Sequence, residues 1–215
     1  MTWDFIVRML RSLFVSSGNT LLLFGVTLLA ALPLGLLLAV GRGSRFKAIR
    51  LPVQLYLLIM RGTPLMLQLI FFFFGLPLRQ MGLSRMGVAV IAFSLNYAAY
   101  FAEIYRGGIE SVPKGQYEAA NVLGFSRAQT FFRIILPQVV KRILPPMSNE
   151  FMTLVKDTSL ARVIGVIELT EIATNIQNTY ATLVPLIIAG VFYLVMNFIV
   201  SQGFGAAEKR LSYYN

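Results

Sequence analysis

The chain contains no cysteine and no histidine in its 215 residues. That excludes disulfides, thiolate nucleophiles, imidazole bases and the commonest zinc and haem ligands, while leaving the redox compartment open. Acid is scarce as well: nine Asp and Glu stand against nineteen Lys and Arg, a net charge of +10. No "GxxxxGK[ST]" occurs and no lysine follows a glycine, so the chain has no phosphate-cradling loop of its own. Residues 1–17, "MTWDFIVRMLRSLFVSS", carry Asp4, Arg8 and Arg11 among apolar positions and therefore lack the uncharged core of a signal peptide. With no internal repeat and no low-complexity tract, residues 1–215 read as a single domain.

What the chain has in abundance is apolar sequence: 57% of residues are hydrophobic and the mean hydropathy is +0.71. Runs near the ~20 residues that cross a bilayer fall at 19–41, 63–78, 86–105, 138–156 and 181–200. The second is preceded by an apolar surface segment from Leu51 that breaks at "RGTP", residues 61–64. The fourth is interrupted by Pro145 and Pro146. The expected fold is an all-α integral membrane protein of five transmembrane helices, with residues 1–17 as an amphipathic helix on the membrane surface. The basic residues lie in short clusters between apolar runs and form no continuous basic face, which favours basic cytoplasmic loops over nucleic-acid binding. Placing the N-terminus outside and the C-terminus in the cytoplasm puts twelve of the nineteen basic residues inside, including Arg42, Arg45, Lys47, Arg50, Lys114 and Arg127.

The connection after the third span is the most informative stretch: "EAANVLGFSRAQTFFRIILP", residues 118–137. Pro113, Lys114 and Gly115 end the preceding helix; "QYEAANVL" then has good helix formers for about two turns before Gly124, a natural C-terminal cap. Ser126 opens another helix, and Gln129 three positions on completes a capping box. A short helix projecting into the cytoplasm suits docking into a groove on a soluble partner, with Tyr117, Ala120 and Leu123 or Val122 as anchors.

Glu118-Ala119-Ala120, three residues, Gly124, nine residues, then Ile134-x-Leu136-Pro137 resembles the EAA loop of permease subunits of bacterial ABC importers at every defining position. "RGTPLMLQL" at 61–69, "YRGGIESVPKGQYEAA" at 105–120 and "KDTSLA" at 156–161 are similar to the polar amino acid uptake branch. The resemblance implies a type I importer fold in the bacterial inner membrane and a pair of permease subunits, alike or different. It also implies a cytoplasmic ATPase dimer and an extracytoplasmic amino-acid-binding protein. ATP and Mg would then be bound by the ATPase, leaving this chain without cofactor, metal or catalytic residue. The coupling loop is expected at about 106–137, with Tyr117, Glu118, Ala119, Ala120 and Gly124 transmitting ATPase closure and Glu118 making an ionic contact. A bare interhelical turn would not need so long a spaced pattern.

The fourth span holds "PPMSNEFMTLVKDTSLA". Glu150 and Asp157 are seven residues, about two helical turns, apart, so both carboxylates share a side with Thr153 between them. A charge at membrane depth costs roughly 2.5–3.5 kcal/mol and usually faces a cavity or a partner. The proline pair suggests a fresh helix start near Ser148 and Asn149, with free amides for a substrate carboxylate. Together, Ser148, Asn149, Glu150, Thr153 and Asp157 would favour arginine, lysine or histidine, with glutamine or glutamate as the alternative cargo. Glu150 could instead pair with Lys141, Arg142 or Lys156, and Asp157 could tie to Thr158 and Ser159. Asn96, Tyr97, Tyr100 and Gln68 fit helix-packing roles better than ligand roles, and Arg61 fits either a gate or an interfacial anchor. An ion-coupled secondary transporter or a membrane enzyme using the two acids would leave the EAA helix without a purpose.

Overall fold

A computed structural model of the chain describes residues 3–211, which form helices and no strand. Helix α1 (Trp3–Arg42) has 40 residues and so extends about 60 Å, twice the ~30 Å of bilayer hydrocarbon. The expected surface helix and first span are thus one continuous rod. Nothing between them interrupts the backbone, and Ser16 and Ser17 satisfy their hydroxyls on the carbonyls of Leu13 and Phe14. Met9 and Leu13, on its N-terminal half, are buried with Leu169, Ala173 and Ala189.

Helix α2 (Lys47–Gly62) turns by 108° at residues 63–64 into α3 (Leu65–Ile70), which a π turn (Phe71–Gly75) prolongs. The break expected at "RGTP" is therefore a corner, and its freed carbonyls have partners. The Gln68 amide donates to the carbonyls of Met60 (3.0 Å) and Thr63 (3.2 Å). Asn96 donates to the Met60 carbonyl and to Gln68 Oε1, each at 2.9 Å. Both side chains are buried, so the corner is held from inside the bundle.

Helix α4 (Arg85–Glu110) begins at Ser84, whose hydroxyl accepts from the Gly87 amide at 3.1 Å, and covers the expected third span. It crosses α1 closely at Gly35, where an added Cβ would lie 2.8 Å from Phe101 Cβ and 3.0 Å from the Ala98 carbonyl. With Ala31, Ala98 and Ala102, also fully buried, this is a small-residue seam of the kind that lets membrane helices approach. The main core gathers around Phe93, Tyr97 and Phe101 of α4 and Leu154 farther on.

After α4 come α5 (Lys114–Val122), one turn of α6 (Arg127–Gln129), a π turn (Thr130–Ile135) and α7 (Leu136–Asp157). A 3-10 turn (Thr158–Ile164), α8 (Leu169–Tyr180) and α9 (Val184–Leu211) complete the described chain. Among the described residues α1, α4 and α9 are long and apolar enough to cross a membrane alone, and the bent α2–α3 pair passes jointly. Composition thus supports three spans, or four with the bent pair, where five were expected. Helix α7 has the length, at 22 residues, but it carries Lys141, Arg142, Glu150, Lys156 and Asp157. Such a helix is held among protein neighbours rather than lipid, and α7 packs on α4 and α9.

One expectation fails here. Helix α7 runs unbroken through Pro145 and Pro146, so there is no new helix start at Ser148 and Asn149 and no set of free amides to receive a carboxylate. Proline's fixed φ is itself helical; its cost is a missing N–H and crowding of the preceding turn, which packed neighbours can absorb.

Candidate functional site

Two regions carry the sequence-predicted residues. At the first, Pro113 precedes α5, and Gly124 closes it at φ +77°. The Gly124 amide donates to the Asn121 carbonyl and the Phe125 amide to the Ala120 carbonyl, both at 3.0 Å. These are the paired bonds of a Schellman cap. The Gln129 amide then donates to Ser126 Oγ (3.3 Å) while the Ser126 amide donates to Gln129 Oε1 (2.9 Å), the expected capping box. Turn chemistry alone thus sets a two-turn helix and its return. Tyr117, Glu118 and Ala119 are exposed on it, with Val122 at 86% and Leu123 at 73%.

Ala120 departs from its expected role as a docking anchor: it is 1% exposed. Helix α5 packs on the returning π turn, and a methyl group is small enough to lie beneath it. The outward apolar surface belongs to Tyr117, Val122 and Leu123.

The second region is the face of α7 toward α4. Asp157 Oδ2 accepts from the Tyr97 hydroxyl at 2.8 Å, and Glu150 stands two turns before Asp157 on α7. The alternative tie of Asp157 to its neighbours is absent, because Thr158 and Ser159 bond back to the carbonyls of Val155 and Lys156. Thr153 and Asn149 do not join the acids. With Lys156 they line a cavity of about 590 Å³ against Tyr193, Leu194 and Asn197 of α9. Ser148 is half-buried in mid-helix and does not line that cavity. Residues at i and i+3 are near on a helix, but the 60° between them is enough to give them different neighbours.

Beside the acids lies a charged cluster that sequence spacing only partly announces. Glu103 pairs with Arg42 at the end of α1, with Arg106 at 2.8 Å and with Arg61 at the end of α2 at 3.4 Å. Arg106 also pairs with Glu110. The i, i+3 and i, i+4 pairs within α4 were available to inspection, whereas the arrival of Arg42 and Arg61 required the fold. The Arg61 guanidinium lies 5.5 Å from the Tyr100 ring centre, and Tyr100 neighbours Tyr97 at 6.0 Å. Gln68 and Asn96 have the structural role expected of them.

At the start of α8, Glu168 is fully buried. It accepts from the amides of Thr170 (2.8 Å) and Glu171 (2.7 Å) and from the Tyr193 hydroxyl (3.0 Å). Burial holds its carboxyl above the usual carboxylate range, against these donors, which pull it down. No group of metal-ligating side chains occurs among the described residues.

Residues 31–213 match the family described as the binding-protein-dependent transport system inner membrane component. The chain belongs to that family. Among curated proteins the permease is 42% identical over 183 residues to the L-cystine transport system permease protein TcyB of Bacillus subtilis (strain 168), covering 84% of this chain and 78% of TcyB. It is 37% identical over 215 residues to the arginine transport system permease protein ArtQ of the same organism, covering 98% of each. Among solved structures it superposes on a chain of an amino acid ABC transporter solved with histidines, with a TM-score of 0.87 at 33% identity, covering 98% of this chain and 99% of that one. The permease is thus an inner-membrane subunit of an amino acid ABC importer, and the long EAA pattern identified it correctly.

Proposed function

We propose that this permease carries polar amino acids, with the cationic set (arginine, lysine, histidine) favoured, through a path beside Glu150 and Asp157. A separate cytoplasmic ATPase dimer binds ATP and Mg and docks on Tyr117, Glu118, Ala119, Val122 and Leu123. Movement of α5 then passes through the return turn to α7, shifting the bundle between inward-open and outward-open states. A second permease subunit and an extracytoplasmic amino-acid-binding protein complete the importer, with this chain's N-terminus outside and its C-terminus in the cytoplasm.

The observation that carries the cationic reading is the pair of acids on one face of α7, seven residues apart, while the ion pairs of Arg42, Arg61 and Arg106 end on Glu103 and Glu110. Two carboxylates at membrane depth attract a cation. The relatives' names point both ways, one to arginine and one to cystine; a glutamine or glutamate importer of the same family is the second reading.

The test is uptake of radiolabelled arginine, lysine, histidine, glutamine and glutamate into proteoliposomes containing the permease, its co-purified ATPase and the matching binding protein. Glu150→Gln is expected to cut uptake of the cationic set at least about tenfold, the scale of one charge-assisted contact, while ATP hydrolysis persists. Unchanged cationic uptake in that variant would remove Glu150 from the path.

A further inference from the structure

Between the first turn of α5 and the entry of α7 lies an open cleft of about 600 Å³, within the size range of small-molecule sites. Its α7 wall consists of two adjoining i, i+4 rows, Arg133–Pro137–Lys141 and Ile134–Gln138–Arg142, and Gln116 of α5 completes it. The next row, Ile135 and Val139, is buried with Val112 and packs on Ile109 and Ile143. Packing of that row fixes the rotation of the helix and so holds the basic rows toward the cleft.

Three cations thus line one concavity, and among the described residues no Asp or Glu lines it with them. The other basic cluster differs in this respect, because Arg42, Arg61 and Arg106 are answered by Glu103 and Glu110. A cleft lined by one sign of charge focuses its field on whatever ion enters. The donors are also in place. Arg142 gives one guanidinium N–H to the Ser111 carbonyl, which anchors the side chain and leaves the rest of its fork. Arg133 makes no hydrogen bond or ion pair among the described residues. The Gln138 amide donates to the Ile134 carbonyl at 2.9 Å and to Gln116 Oε1 at 3.3 Å. With its oxygen engaged, Gln116 keeps its own NH2 group for an acceptor. Guanidinium forks, an ammonium and an amide around one space suit a tetrahedral oxyanion, whose several oxygens each take a donor.

We propose that this cleft is an oxyanion site that receives a phosphate group, carried on an anionic phospholipid head group or present as inorganic phosphate. Gln116 belongs to α5 and the three cations to the π turn and α7, so the bound phosphate ties the short helix to the long one. The site is independent of the cargo and of the acid pair on α7.

The test uses the assembled permease–ATPase complex in phosphatidylcholine nanodiscs, so that a cleft closed by the docked ATPase is scored as closed. Phosphatidylglycerol is introduced at rising mole fraction and its retention counted by native mass spectrometry; radiolabelled inorganic phosphate is measured separately by equilibrium dialysis at constant ionic strength. Saturable binding at one site per permease is expected for at least one probe. The double variant Arg133→Gln, Lys141→Gln is expected to weaken it at least about tenfold, the scale of one charge-assisted hydrogen bond. Arg133→Gln alone, at an exposed position, gives a smaller loss and keeps the test open where the double variant does not assemble. Lys47→Gln removes the same charge from exposed α2, outside the cleft, and is expected to change nothing. Phosphate held by the ATPase itself does not respond to these substitutions. Saturation by phosphatidylglycerol alone names the head group as the source, by phosphate alone the free ion, and by both a site open to either. No saturable binding of either probe, or equal weakening by Lys47→Gln, would overturn the proposal and leave the cleft a solvated basic face.

Discussion

Glu168 caps α8 from a fully buried position, tying its first amides to Tyr193 of α9. The neighbouring Leu169 amide reaches Thr20 of α1 at 3.3 Å, so three helices meet there. Truncation by Glu168→Ala leaves two amides and a tyrosine hydroxyl without their acceptor and is expected to cost about 1–3 kcal/mol, read as a lower Tm of the purified complex. The pH dependence has a definite sign. Burial raises the folded-state pKa above the unfolded one, so the folded protein holds the proton longer. The stability contributed by this group is complete below the ordinary carboxylate range and is lost as pH rises through the folded value. Glu168→Gln is expected to flatten that part of the Tm-against-pH curve; an unchanged slope would place the titration elsewhere.

Helix α5 owes its length and direction to a left-handed residue. Gly124 sits at φ +77° with open space around it, so a side chain there meets backbone strain and no clash. Gly124→Val is expected to cost about 1–2 kcal/mol in forming the Schellman cap. Docking-competent α5 would fall about five- to thirtyfold on that scale. ATP-driven uptake in proteoliposomes should drop accordingly, and full uptake in the variant would show that α5 docks without its cap. This element was legible in sequence because caps are local: Gly124, Ser126 and Gln129 act within five residues of one another. The continuity of α7 through Pro145 and Pro146 was not legible, since it depends on neighbours that take up the strain.

Across the whole molecule, the missing cysteines become useful. Single-cysteine variants introduce the chain's only thiol, so labelling by a membrane-impermeant maleimide reports sidedness directly. Asp4→Cys is expected to react in intact cells and Glu208→Cys only after permeabilisation; the reverse pattern would invert the proposed orientation. Sequence by itself determined the helical class, the break at 61–64, the short helix with its capped return after Pro113, and the common side of α7 on which Glu150 and Asp157 stand. All of these follow from apolar run length, turn chemistry and the 3.6-residue period, which act within a few residues. Only the tertiary structure decided which neighbour each face meets: Tyr97 reaches Asp157 across 60 residues, Arg42 and Arg61 converge on Glu103, and Ala120 turns inward. Periodicity states which side chains stand together on a helix but not how that helix is rotated toward its neighbours, and this rotation is set by the packing of close seams such as the one at Gly35.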